Sequence, residues 1–194
     1  MKRSFSFFLK GAGWTVAANA GSLLFRIVSN IVLTRLLAPE LFGILAIVHS
    51  ARIGIELLSD IGISQNMVYN KHADEPIFYN TAWTLQIIRG FCLWLVSIAA
   101  AIPLAHFYKA PMLTYILPIG SLPFIFGGLT SMGLYLAQKR MQFVRLNVLS
   151  LILDFTGALA NIVMALISPT ILALISGLSI SSIIRTFGSY FLVS

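Results

Sequence analysis

Arg26, Arg52, Arg89 and Arg185 each lie deep inside an apolar segment long enough to cross a bilayer. A charged side chain at the membrane centre costs between about 2.5 and 17 kcal/mol, depending on the scale. A chain that carries four of them must pair those charges or place them in water. The pattern therefore predicts a polytopic membrane protein with a wet, cationic interior.

Only 10% of the residues are charged and 58% are hydrophobic, against about 25% charged in a soluble domain. No polar stretch between the apolar runs is long enough to fold alone. The net charge of +7 would suggest nucleic acid in a soluble protein. Here the lysines and arginines between apolar runs read as topology signals, and no nucleic-acid partner is expected. The single cysteine, Cys92, excludes a disulfide framework within one chain.

A spanning helix needs roughly 20 apolar residues. Six such segments are predicted, over about 14–36, 40–64, 80–106, 113–137, 146–168 and 171–194. Turn chemistry separates them: Ala38-Pro39-Glu40, the polar run from Asn70 to Pro76, Lys109-Ala110-Pro111, Gln138-Lys139-Arg140 and Ser168-Pro169-Thr170. Pro118 and Pro123 are expected to kink the fourth span. Gly120, Gly127, Gly128 and Gly133 should let another helix approach closely. The basic and aromatic segment 1–13 is expected to lie on the membrane surface. A signal peptide fits less well, because the next span holds Arg26 and Asn30 and shows no clear cleavage site.

With the N-terminus inside, Lys2, Arg3, Lys10, Lys71, Lys139, Arg140 and Arg145 fall on the cytoplasmic side, and only Arg35 and Lys109 outside. This bias predicts that both termini are cytoplasmic.

The polar residues within the spans form stripes. At 100° per residue Thr15, Asn19, Ser22, Arg26 and Asn30 share one narrow arc of the first span. His49, Arg52, Glu56 and Asp60 do so in the second, and Asn147, Ser150, Asp154 and Asn161 in the fifth. The third adds Gln86 and Arg89, and the sixth adds Ser181, Ser182 and Arg185. Lipid cannot accept such stripes, so each faces the bundle interior or a water-filled cavity. Structural pairing is the competing reading: Arg52 and Glu56 are spaced i, i+4, and Asp154 can pair with Arg26 or Arg89. Pairing does not absorb every charge, because four arginines face three acids (Glu56, Asp60 and Asp154), and Asp60 lies near the cytoplasmic end. The surplus suits an anionic solute such as a phosphate or pyrophosphate group.

No catalytic constellation is visible. His49, His72 and His106 lie on different elements without metal-ligand spacing. Nucleophile elbows and phosphate-binding glycine loops are absent. No enzyme activity, metal or cofactor is expected.

Three stretches resemble a known family. Leu33-Thr34-Arg35-Leu36-Leu37-Ala38-Pro39-Glu40-Leu41-Phe42-Gly43 is similar to the first outer turn of polysaccharide flippases. Ser59-Asp60-Ile61-Gly62-Ile63-Ser64-Gln65-Asn66, then Val68 and Lys71, resembles the inner end of their second helix. Gln138-Lys139-Arg140-Met141-Gln142-Phe143-Val144-Arg145 resembles the basic loop before their fifth. These are the Wzx-type exporters of O-antigen, capsule and related lipid-linked sugars, within the multidrug/oligosaccharidyl-lipid/polysaccharide exporter superfamily. The resemblance implies an all-α fold of two six-helix lobes around a central cavity, of which this chain matches the N-terminal lobe. The partners it implies are the bilayer, a missing C-terminal lobe or a second copy, and an undecaprenyl-pyrophosphate-linked oligosaccharide. That cargo would be flipped across the bacterial inner membrane as the lobes rock. On this reading Arg26, Arg52 and Arg89 contact phosphate or acidic sugar, with Asn19, Asn30, His49, Gln86 and Arg185 completing the cavity wall. Glu56, Asp60 and Asp154 restrain the arginines or couple to an ion. A cation-coupled drug exporter of the same superfamily would show an acidic cavity instead. A membrane-embedded glycosyl- or acyltransferase would show catalytic acids or histidines at a membrane face. A non-transporting remnant is the remaining alternative.

Overall fold

In a computed structural model, residues 2–60 and 62–191 are described, with side chains placed for all of these except residues 2–12 and 14. The described chain is helical throughout: α1 (Lys2–Leu36), α2 (Pro39–Leu58), α3 (Ile63–Tyr69), a 3-10 turn (Lys71–Asp74), α4 (Pro76–Phe107), α5 (Leu113–Gly120), α6 (Leu122–Leu129), α7 (Gly133–Lys139), α8 (Phe143–Ile167) and α9 (Ile171–Phe191). Five stretches are long and apolar enough to cross a membrane: Thr15–Leu36, α2, α4, α8 and α9. A sixth is the bent pair Leu113–Leu129 and Gly133–Lys139, whose limbs meet at 66°. The chain is an all-α polytopic membrane protein. Its exposed surface carries the apolar side chains that lipid covers, such as Leu23, Leu24 and Ile27 on α1 and Leu95 and Val96 on α4.

The expected surface segment 1–13 is helical from Lys2 and runs without a break into the first span. The side chains that motivated it, and residues 192–194 at the other end, lie outside the described set. The second span is shorter than the expected 40–64. It stops at Leu58, because Gly62 adopts a left-handed conformation (φ 70°) that favours glycine. The Asp60 carboxylate accepts a hydrogen bond from the Gly62 N–H at 3.0 Å and fixes the turn.

The fourth span also differs from expectation. Pro123 sits in the first turn of α6, where its missing N–H is no loss, and a short break at Ser121 absorbs the pair of prolines. The sharp bend lies further along, at residues 130–132. Among the four glycines expected to allow close approach, a Cβ at Gly128 would meet the α4 backbone and one at Gly120 would touch Val48, whereas Gly127 faces open space. The α4 partner of Gly128 is Gly90, and a Cβ there would come closer than 3.0 Å to the Phe124 carbonyl.

The helices form two packed groups. α1 lies along α8, and α8 along α9; α4 lies along α5 and α6; α6 meets α9 and joins them. α2 is wedged between the groups, and Val48 is its one buried residue. At one end Val48, Ala101, Leu113, Ile116, Leu117 and Ile175 close a tight apolar core. At the other end the connection 59–75 meets the turn after α7: Lys139 Nζ donates to the Asn70 carbonyl at 2.8 Å, and Lys139 and Arg140 both pair with Asp74. Between these ends α2 stands away from its neighbours and leaves a cavity on each flank.

Candidate functional site

The first cavity, on the α4 side of α2, has a volume of about 420 Å³ and is walled by α2, α3, α4, α6, α7, α8 and α9. Three arginines, Arg52, Arg89 and Arg185, and one acid, Glu56, line it, an excess of two positive charges. The three arginines are in different states. Arg52 is set over the Phe124 ring, its guanidinium carbon 5.4 Å from the centroid. Its buried Nε has no hydrogen-bond partner among the described residues. Arg185 has no polar partner among the described residues, and the Glu56 carboxylate makes no hydrogen bond among them either. Arg89 is committed. Its Nε donates to the Ser59 carbonyl at 3.0 Å and its Nη2 to the Glu56 carbonyl at 3.2 Å. It thereby caps the C-terminus of α2, where orphan carbonyls and the helix dipole favour a cation.

Gln86 is also committed. Its Nε2 donates to the Gly127 carbonyl at 2.7 Å and lies 3.4 Å from that of Thr130. These carbonyls are freed by the break in the fourth span, and other helices complete the work. Thr186 donates to the Phe126 carbonyl at 2.7 Å and Tyr190 to the Leu129 carbonyl at 2.8 Å. Ser189 accepts from the Ser131 N–H at 2.9 Å. A broken helix survives at membrane depth where such groups are satisfied and where it is buried in protein or lines a cavity. Both conditions hold here, since Phe124, Gly127, Gly128 and Thr130 form part of the cavity wall.

The second cavity, on the α1 side of α2, has a volume of about 430 Å³ and lies between α1, α2, α8 and α9. It contains Arg26, Asn30, His49, Asp154 and Asn161. Here the charge is balanced. Arg26 Nη2 and Nε reach the same Asp154 oxygen at 3.1 and 3.4 Å. Arg26 is 68% exposed and Asp154 20%. Asn161 Oδ1 accepts the Gly177 N–H at 2.6 Å, across a helix crossing so close that a Cβ at Gly177 would collide with the α8 backbone.

The sequence stripes are therefore divided. That of α2 sends His49 to one cavity and Arg52 and Glu56 to the other, while Asp60 belongs to the turn. Asn19 lines neither cavity. It is exposed on α1 about two turns from Arg26, roughly 10 Å by helical rise, and beyond the cavity mouth. Asn147 is taken up by a hydrogen bond to Thr15 at 2.9 Å. Phe124, the platform for Arg52, sits in an apolar run and gives no sequence signal. No group of three or more metal-ligating side chains occurs among the described residues.

Spanning helices, a broken span and polar cavities between them define a polytopic α-helical membrane protein. Residues 32–194 match the family described as "Polysaccharide biosynthesis protein", and the chain belongs to that family. It is 29% identical over 184 residues to the succinoglycan biosynthesis transport protein ExoT of Rhizobium meliloti (strain 1021), covering 93% of this chain and 36% of that protein. It is 20% identical over 178 residues to an "Uncharacterized membrane protein in cps region" of Klebsiella pneumoniae, covering 92% of this chain and 36% of that protein. The chain thus spans about a third of the length of these relatives. No solved structure matches it significantly.

Proposed function

We infer that this chain forms the arginine-bearing part of a transporter that carries lipid-linked oligosaccharide across the bacterial plasma membrane during polysaccharide export. Its role is binding and alternating access rather than catalysis. The phosphate groups of the cargo occupy the α4-side cavity, where Arg52 and Arg185 grip them. Arg89 keeps α2 in place beside them. The carrying observation is a cavity wall with a surplus of two positive charges, in which Arg52 has no hydrogen-bond partner for its buried Nε among the described residues. An oxyanion balances such a surplus and accepts charge-assisted hydrogen bonds from guanidinium groups. The names of the relatives support export as the setting, and the rocking partner is a further lobe or a second copy. Both ends of the chain lie on the cytoplasmic face, with the Asp74–Arg140 end of the bundle. A cysteine in place of exposed Lys71 should therefore resist an impermeant thiol reagent added outside, and labelling from outside would invert this orientation.

Titration of the protein in lipid nanodiscs with inorganic pyrophosphate tests the cavity. Arg52→Gln and Arg185→Gln should each weaken binding about tenfold, the worth of a charge-assisted hydrogen bond. Arg35→Gln, exposed and outside both cavities, should leave it unchanged. Equal affinity in all three variants would remove the anion site from this cavity.

A further inference from the structure

The geometry points to a second, chemically different subsite: the α1-side cavity receives a neutral sugar residue of the cargo. This rests on the reading of the α4-side cavity as the phosphate site. The two cavities share a wall, because Leu153, Leu178 and Ser181 line both. The two spaces are thus adjacent, and on this proposal a ligand anchored by phosphate beside Arg52 extends past α2 into the second.

The chemistry of the two spaces differs in kind. An anion needs donors alone, and the α4-side cavity offers donors in excess. In the α1-side cavity the Arg26 guanidinium is already matched by Asp154, through one carboxylate oxygen only. That leaves Asp154 Oδ2 as a strong acceptor and Arg26 Nη1 as a donor. A phosphate placed here would face the carboxylate oxygen and be repelled. Asn161 has committed its Oδ1 to Gly177 and Ser176, so its Nδ2 remains as a donor. Asn30 and His49 make no hydrogen bond among the described residues, and each brings both a donor and an acceptor.

A wall that mixes strong acceptors with strong donors at zero net charge suits groups that donate and accept at once. Vicinal hydroxyls of a sugar ring do this, and a fixed Arg–Asp pair presents its free donor and free acceptor side by side. The cavity volume of about 430 Å³ falls within the range of roughly 300–1,000 Å³ typical of ligand sites. Phe42 and Leu45 in the same wall supply the apolar surface against which ring C–H faces pack.

The test uses the chain in lipid nanodiscs with two probes, inorganic pyrophosphate and the neutral disaccharide cellobiose, binding being followed by ligand-observed NMR saturation transfer. The variants are Asn30→Ala, whose side chain is exposed and unpartnered, and the double variant Arg26→Gln with Asp154→Asn, which keeps a neutral hydrogen-bonding pair. Thermal unfolding of each checks that the fold survives. Both should weaken cellobiose about tenfold, one charge-assisted hydrogen bond, and leave pyrophosphate affinity unchanged. Arg52→Gln should do the reverse. Absence of cellobiose binding to the unaltered chain, or cellobiose affinity indifferent to both α1-side variants, would overturn the sugar subsite. Loss of pyrophosphate binding in the double variant would show that this cavity serves the anion instead. Pyrophosphate binding that ignores Arg52→Gln would overturn the phosphate reading itself, whatever cellobiose does.

Discussion

The two flanks of α2 hold arginines in opposite electrostatic states. On the α1 side Arg26 is largely in solvent and meets a carboxylate 3.1 Å away. On the α4 side Arg52 lies against Phe124 with a buried donor that has no hydrogen-bond partner among the described residues. Summed over the spans, the charges give a general cationic surplus. The structure concentrates that surplus in one cavity and cancels it in the other. The cause is packing. α8, which carries Asp154, lies along α1, whereas the intramembrane acid nearest Arg52 is Glu56 on its own helix, and no ion pair joins them within 4 Å among the described residues. A paired arginine is a structural and recognition element. An unpartnered one is the place where the proposed anion site can be tested.

Each cavity is closed by a glycine crossing, and breaking those crossings should give the largest effects. Gly90→Val on the α4 side drives a side chain into the Phe124 carbonyl and the Gly128 backbone. Gly177→Val on the α1 side meets Asn161 and the Gly157 carbonyl. Backbone cannot yield as a side-chain tip does, and overpacking costs about 1–3 kcal/mol or more. Either variant should abolish accumulation of folded protein, read as the monodisperse fraction after detergent extraction. Gly127→Ala has open space around its Cβ and should be extracted as well as the unaltered chain. If Gly90→Val is tolerated equally, the α4–α6 crossing does not build the cavity wall.

The arginine contrast itself predicts opposite responses of intermediate size. Arg26→Ala strips Asp154 of its partner, and Asp154 is the less exposed of the two. The expected loss is about 1 kcal/mol, since Arg26 is largely solvated. In a chain of this size that lowers Tm by about 2–4 °C. Adding Asp154→Asn should restore most of it, because the orphaned charge is gone. Arg52→Met removes a desolvated charge that no ion pair or hydrogen bond among the described residues compensates and leaves an apolar stem over Phe124. It should hold or raise Tm while weakening pyrophosphate binding. A fall in Tm for Arg52→Met as large as that for Arg26→Ala would erase the distinction between the two flanks.

How far the sequence carries this contrast depends on where its physics resides. The spanning segments are local, since each is a run of apolar residues bounded by turn chemistry, and helices stand on all six. The Arg26–Asp154 pair was legible as one of two alternatives, because both residues fall on polar arcs of long helices. The end of α2 was also legible in principle. Ser59, Asp60 and Gly62 form a turn signature, and hydropathy alone overran it to residue 64. The break at 130–132 was not legible. Its neighbours are as apolar as a continuous helix, and it is stabilised by Gln86, Thr186, Ser189 and Tyr190 from helices remote in sequence. The roles of Gln86 and Arg89 were hidden for the same reason. A stripe shows that a polar side chain faces inward, and says nothing of whether a carbonyl is already waiting there.

A second ion pair sharpens the comparison by supplying a control for Arg26–Asp154 whose carboxylate is more exposed, 47% against 20%. At the α3–α7 end Asp74 receives Arg140 at 2.7 Å and Lys139 at 3.2 Å. These hydrogen bonds, Arg140 first and then Lys139, hold its carboxyl below the ordinary value of 3.8. A carboxylate depressed in the folded state contributes stability that is fully present above the unfolded pKa. That contribution is lost as pH falls through the lower folded value. The Tm difference between the unaltered chain and Asp74→Asn should therefore be constant from neutral pH down to about 5 and shrink below roughly 4. It should be the smallest of the effects considered, because the Asp74 carboxylate is exposed to solvent, and 1 M salt should suppress it. The Arg26→Ala penalty should survive the same salt better, since Asp154 is partly shielded from solvent. Equal salt sensitivity of the two pairs would mean that the α1-side cavity is as open as the surface loop, and that water alone satisfies Asp154 there.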